Sequence, residues 1–348
     1  MAKKLTNNVL GDQPQTVGLD IGFGFTKAVT ESQEIMFPSV AAHARQIDWQ
    51  ADEIISKHPG DLLLDDDGDF FIGDLANIHA TPAEHIQLRG RTGNEAEVGN
   101  VFRVRMMKVA LGKLFPNKSG GEVVHIKLAT GLPVDHMRQA ADLKSALIGT
   151  HNVQTDSTHF VANITECIVM PQPYGTIYSR MLKTNGELDP CHVAVNTGVV
   201  DIGRYTIDIA LDDDGEYVET RSGSIEGGVH LVLERIKKAV NRDFQEWPSD
   251  NAAEIILKTG CINIDGESIN YQDVVNEAIQ PLLSATSTLL NSKWQAGRFI
   301  NVIYVSGGGA PLAYRTIKTA YKQAVLVESA QSANARGYVN YANFKARG

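Results

Sequence analysis

The stretch "DIGFGFTKAV" at 20–29 has an echo in "DIGRYTIDIA" at 201–210, about half the chain apart; the two share their opening Asp-Ile-Gly and strand context, and coincidence is the competing reading. Each copy follows an apolar run, "TVGL" before the first and "HVAVNTGVV" before the second, and each continues into residues of strand character. The spacing implies two similar halves. Each half opens with a β-hairpin whose first strand ends on an aspartate, Asp20 or Asp201.

A carboxylate at the end of a buried strand is costly unless its charge is compensated. The glycines that follow Asp20, Gly22 and Gly24, let backbone N–H groups approach a phosphate closely. Carboxylate and phosphate repel unless a divalent cation lies between them. Mg²⁺ keeps several of its waters and binds through one or two carboxylates together with substrate phosphates. Asp20 from one half and Asp201 from the other supply such a pair, and Lys27 reaches a phosphate as a point charge. The nucleotide then sits in a cleft between the halves. "GFGFTK" satisfies neither the Rossmann spacing nor the Walker P-loop, and the competing reading is a structural hairpin with a solvated Asp.

Two further glycine runs fit a nucleotide. "VIYVSGGGAP" at 302–311 ends a short apolar strand and precedes a helix opened by Pro311, so Gly307, Gly308 and Gly309 allow a flat ring or a ribose to come close. "SIEGGVHLVLERI" places Gly227 and Gly228 at a helix start, where N–H groups and the dipole favour an anion. Either run also serves as a plain helix cap.

At 348 residues and 43% hydrophobic content the chain can bury one large or two medium domains. A net charge of −9 argues against nucleic-acid binding through the chain's own field, so any DNA link is indirect. Cys167, Cys191 and Cys261 lie far apart with no metal spacing, which fits a reducing cytoplasm. No apolar run approaches the length of a membrane helix, and residues 1–15 read as a flexible polar tail.

A second and a third strand follow Asp20 in place of a helix, because 25–40 is rich in β-branched and aromatic residues and carries Pro38. Asp-Gly turns in "DDDGDF" (65–70), "DDDGEY" (212–217) and "IDGESI" (264–269) predict antiparallel hairpins, and therefore mixed sheets. Helical periodicity predicts helices at 97–114, 134–149, 228–244, 273–290 and 332–345.

With these residues in place the chain resembles the actin superfamily, which includes actin, the heat-shock chaperone ATPases, the sugar kinases and the bacterial cytoskeletal proteins. Five landmarks in order carry the resemblance: "DIGFGFTK", the connecting segment "VMPQPYGTIY", "DIGRYTID", "VSGGGAP" and the final helix "ANARGYVNY". "ATGLPVDHM" and "ANARGYVNYANF" look most like the ParM (StbA) plasmid-segregation actins and archaeal relatives. The resemblance implies an α/β, ribonuclease H-like duplicated fold with two lobes of mixed sheets around a nucleotide cleft. Lobe I spans 16–165 plus 326–348, the last helix returning to it, and lobe II spans 166–325.

The resemblance also implies roles. Asp20 and Asp201 hold a water-shelled Mg²⁺; Gly22, Gly24, Thr26 and Lys27 form the first phosphate loop, and Gly203 and Thr206 the second. Gln172 falls where relatives carry the residue that orients the attacking water. Glutamine is a poor base, so its role is positioning, with Asp201 polarising the water. Glu254 and Lys258 match the region that contacts ribose and base, although an exposed i,i+4 salt pair accounts for them equally. Arg204 and Tyr205 stand where many relatives have small residues, and Phe23 and Phe25 crowd the first turn.

Function follows by elimination within the superfamily. No acceptor-pocket motif of a sugar or acetate kinase is present, which leaves phosphotransfer as the alternative. The sequence stops soon after its last helix without a chaperone's substrate domain, and no amphipathic anchor points to a membrane. The expectation is a cytoplasmic ATPase, or GTPase, that polymerises head to tail. By resemblance, a small DNA-binding adaptor protein couples the filament to plasmid or DNA segregation, without direct nucleic-acid contact.

Overall fold

The computed structural model describes residues 14–49, 51–88, 95–192 and 196–347. Of the tail expected over 1–15, residues 1–13 lie outside the described residues, and Gln15 already opens the first strand. β1 (Gln15–Ile21), β2 (Phe25–Val29) and β3 (Glu34–Pro38) form an antiparallel meander. A small outlying unit follows, made of β4 (Ala41–His43), α1 (Ala51–Lys57), β5 (Leu62–Asp65), β6 (Gly68–Ile72) and α2 (Gly73–His79). α3 (Glu95–Leu114), β7 (Val123–Leu132), α4 (Ala140–Leu147), β8 (Gly149–Gln154) and β9 (His159–Pro171) complete a six-stranded sheet in the order β3-β2-β1-β7-β9-β8.

α5 (Gln172–Met181) leads into the second half. There β10 (Asn196–Ile202), β11 (Thr206–Asp213), β12 (Glu216–Tyr217) and β13 (Gly223–Glu226) build the start of a second sheet. α6 (Val229–Phe244), α7 (Asp250–Thr259), β14 (Cys261–Ile264), β15 (Glu267–Asn270) and α8 (Gln272–Trp294) intervene. β16 (Val302–Ser306), α9 (Ala310–Ala320), β17 (Ala324–Leu326) and α10 (Ala333–Lys345) finish the chain. The order β12-β11-β10-β16-β17 repeats the plan of the first sheet: a central strand with its hairpin partner on one side and a parallel strand on the other. The fold is a two-lobed α/β duplication of actin type.

Both central strands are covered on both faces, since Val17 to Ile21 and Thr197 to Ile202 are all buried and, apart from Asp20, Thr197 and Asp201, carry no polar side chain. A strand covered on both sides needs that composition. α3 packs on one side of β1 and α10 on the other. The expected hairpins form at 65–68, 213–216 and 264–267. In the last two, both central residues have positive φ (Asp214 53°, Gly215 87°; Asp265 50°, Gly266 83°), the geometry that makes Asp-Gly the preferred pair.

α5 and α10 join the halves. Each leaves the last strand of one sheet and packs on the other: α5 against β10, β11 and β16, α10 against β1, β2 and β7. They cross backbone to backbone. A Cβ on Gly337 would collide with the Gly175 carbonyl, so only glycine fits there. Around this crossing Tyr174, Ile177, Tyr304, Tyr338 and their neighbours form a third apolar cluster between the two lobe cores.

Helical periodicity needs correcting in three places. The helix expected over 134–149 is a 3₁₀ segment at Val134–Gln139 followed by α4, and it stops at Leu147 because Gly149 turns at φ 124° into β8. The helix expected over 273–290 runs on to Trp294, through Pro281. α1 and α2 were missed; each is only seven residues long, and α1 buries none of its side chains, so neither shows a helical stripe.

Candidate functional site

The two phrases of the sequence fold to one geometry. Asp20 pairs with Lys27 across the β1–β2 ladder, and Asp201 pairs with Asp208 across β10–β11. The turn closes the same way in each, with Gly22 N–H donating to Phe25 O (3.1 Å) and Gly203 N–H to Thr206 O (2.9 Å). The two turns meet tip to tip: the Phe23 and Tyr205 rings lie edge to face with centroids 5.6 Å apart, and a Cβ on Gly24 would crowd Arg204 Cδ at 2.7 Å. The aromatic residues that looked out of place in the sequence therefore join the lobes.

Behind these tips lies a cleft of about 570 Å³. Asp20, Gly22, Gly24 and Lys27 line it from one lobe; Asp201, Gly203, Thr206, Glu254, Lys258, Gly307 and Gly308 line it from the other, with Gln172 between them. Asp20 is 3% exposed and Asp201 8%. Lys27 Nζ holds Asp20 Oδ2 at 3.0 Å, and Gln172 Nε2 donates to Asp20 Oδ1 at 3.2 Å. Asp201 has weaker compensation. Burial and the facing Asp208 push its carboxyl up to about 7, against the opposing pull of Asn334, which donates from Nδ2 to Asp201 Oδ2 at 2.6 Å. Thr206 Oγ1 donates to Asp208 Oδ2 at 2.6 Å.

The remaining residues singled out from the sequence divide by position. A Cβ on Gly307 would collide with Asp201 Oδ1 and with the Ile202 carbonyl, so this glycine, at φ 87°, sets how closely β16 approaches the carboxylate. Gly309 does not line the cleft; it donates to the Ile202 carbonyl and packs against Ile202 and Val229. Thr26 is fully buried behind the first turn, 2.9 Å from Ser39 Oγ. The anion site expected at Gly227 and Gly228 needs correction. The N–H groups of Val229 and His230, which open α6, already donate to the carbonyls of Gly203 and Arg204 (3.1 and 2.7 Å), so they brace the second turn from behind. Glu254 is held chiefly by Arg204 at 2.9 Å, within a cluster where Arg204 also pairs with Asp250; Lys258 reaches Glu254 only at 3.9 Å and is 75% exposed.

Sequence reading missed Asp208, Asn334 and Thr176. Asp208 was legible, because it occupies in the second phrase the position of Lys27 in the first. Asn334 and Thr176 carried no signal, being ordinary polar residues on two distant helices.

These donors suit a divalent cation. Two buried carboxylates from opposite lobes face one cleft, and the one without a lysine beside it keeps its proton up to about neutrality. A hard cation bound there supplies the missing positive charge through oxygen ligands.

The model for the N-terminal domain of actin-like proteins matches residues 18–175, and the model for the C-terminal domain of the archaeal, MreB-like actin homologue matches residues 199–319. Among solved structures, a 15-stranded ParM filament from Clostridium botulinum is similar with a TM-score of 0.74 at 21% identity, covering 94% of this chain and 99% of that one. The archaeal actin homologue Ta0583 in complex with ADP gives 0.73 at 19% identity over 94% and 99%. A non-polymerisable quadruple mutant of pCBH ParM gives 0.72 at 20% over 95% and 99%. No curated protein matches the chain by sequence. Matched in both halves by models of actin-type domains and similar in fold over nearly its whole length to ParM and archaeal actin homologues, the chain carries an actin-like N-terminal domain and an archaeal-actin-type C-terminal domain.

Proposed function

We propose that this chain is a nucleotide-hydrolysing, filament-forming actin-like protein. The observation that carries the reading is the pair of matched hairpins, which aim one buried carboxylate from each lobe, Asp20 and Asp201, into a single cleft. The substrate is ATP or GTP with Mg²⁺, held between the carboxylates, the Gly22–Gly24 and Gly203 turns, and Lys27. The metal, when bound, supplies charge for the phosphates. Gln172 orients the attacking water. Its amide is neutral, so it fixes the water by hydrogen bonding and does not take the proton, and Asp201 helps to polarise that water.

The lobes meet at the aromatic tips and at the α5–α10 crossing. A γ-phosphate favours whichever lobe arrangement it binds better, and its loss releases that preference. Subunits in the favoured arrangement add head to tail, a heterologous contact that extends without closing. The similarity to a ParM filament supports this assembly; the role in plasmid or DNA segregation through a small DNA-binding adaptor rests on the resemblance of the sequence motifs alone. The net charge of −9 suits an indirect link to DNA.

Sedimentation and light scattering with Mg²⁺ and ATP or GTP, alongside phosphate release, test the reading. Nucleotide-dependent polymer with phosphate release is expected. No polymer with either nucleotide refutes the filament role; transfer of phosphate to a sugar or acetate in its place supports a kinase.

A further inference from the structure

The first turn of α5 reaches both carboxylates. Gln172 donates to Asp20 Oδ1 at 3.2 Å. Thr176, four residues on and so on the same helical face, has its Oγ1 2.8 Å from Asn334 Oδ1, while Asn334 Nδ2 holds Asp201 Oδ2 at 2.6 Å. Thr176 Oγ1 also lies 2.8 Å from Ser306 Oγ at the end of β16. Thr176 Oγ1 is placed to donate to either oxygen, and because an amide oxygen only accepts, the Asn334 amide is held at Asp201 only while the Thr176 proton points to its Oδ1. Thr176, Ser306 and Asn334 are all buried, at 0%, 0% and 7% exposure.

This chain of bonds runs through the helix crossing. A Cβ on Gly175 would lie 2.6 Å from Asn334 Cα, so the residue that grips Asp201 sits where α5 and α10 touch. A small slide of α5 on α10 must lengthen or bend the Thr176–Asn334 bond.

We propose that Thr176 and Asn334 are positioning residues that tie the orientation of Asp201 to the placement of α5, so that one rigid helical turn sets both carboxylates together. The inference rests on the cleft being the hydrolytic site. Neither residue touches the reacting atoms; Asn334 turns Asp201, and Thr176 turns Asn334. Hydrolysis then depends on how the lobes sit, because the lobes are joined through this crossing.

Steady-state hydrolysis with Mg²⁺ and the preferred nucleotide, on the full chain, tests this. Thr176→Val keeps the shape but cannot donate. It lowers kcat about tenfold, the scale of an outer-shell bond, with KM changed less than about twofold, and Thr176→Ser restores most of the rate. Tyr341→Phe is the packing control for the crossing, since the Tyr341 ring stacks on Tyr178 with centroids 4.4 Å apart and does not line the cleft. It leaves kcat unchanged. If Thr176→Val does not fold, Asn334→Ala, which removes the bond to Asp201 itself, lowers kcat in the same direction. Wild-type kcat in Thr176→Val or Asn334→Ala, a change confined to KM, or an equal loss in Tyr341→Phe overturns the relay while the functional reading stands. A wild-type chain that hydrolyses neither nucleotide overturns both.

Discussion

Asp201 faces Asp208 in the second hairpin at the register position where Asp20 faces Lys27 in the first. A duplicated element has thus kept its backbone and inverted one charge. One carboxylate is neutralised within its own hairpin; the other is left to a partner from elsewhere.

That asymmetry gives a pH dependence. Burial and Asp208 raise the Asp201 carboxyl from 3.8 to about 7, so the folded chain holds a proton that the unfolded chain releases. The stability this contributes is complete below the unfolded value and is lost as the pH rises through about 7. Thermal unfolding of the nucleotide-free protein should show a declining Tm across that window, and Asp201→Asn should flatten it. A slope unchanged in the variant refutes the assignment.

Lys27 and Asp20 are 12% and 5% exposed at their side chains, close to a buried pair. Removing one partner of such a pair strands the other, so Lys27→Met should cost about 3 kcal/mol in urea unfolding of the nucleotide-free chain. The double variant with Asp20→Asn should recover part of that loss. Equal stability of the single and double variants contradicts the pairing.

Gln172→Ala should slow phosphate release by about 100-fold while nucleotide binding persists, and polymer should outlive that of the wild type. Normal turnover removes Gln172 from the role.

The lobes touch through Phe23 and Tyr205, a contact that contributes about 1 kcal/mol. In a double-mutant cycle on unfolding, Phe23→Ala and Tyr205→Ala should each lose it, and the pair together should lose it once. Additive losses contradict a direct contact.

Much of this site was legible because the duplicated phrase is local: Asp, Gly and Lys fall within eight residues, and strand alternation fixes where each points. The plan of hairpins followed from Asp-Gly turns. The rest depends on long-range placement. Thr176 and Asn334 lie far apart in sequence and meet only where Gly175 and Gly337 let two helices touch. Gly227 and Gly228 read as an anion site because an isolated helix start offers free N–H groups, whereas here the neighbouring turn accepts those N–H groups. Arg204 read as a departure from the phosphate loop because its partners, Asp250 and Glu254, come from a later helix.

The most direct measurement is anomalous diffraction from crystals grown with Mn²⁺ in place of Mg²⁺ and a non-hydrolysable nucleotide. The account predicts one strong peak in the cleft between Asp20 and Asp201, within reach of both through water, with the phosphates against the Gly22–Gly24 and Gly203 turns. A bound nucleotide whose metal lies away from either carboxylate, or a nucleotide bound outside the cleft, contradicts it.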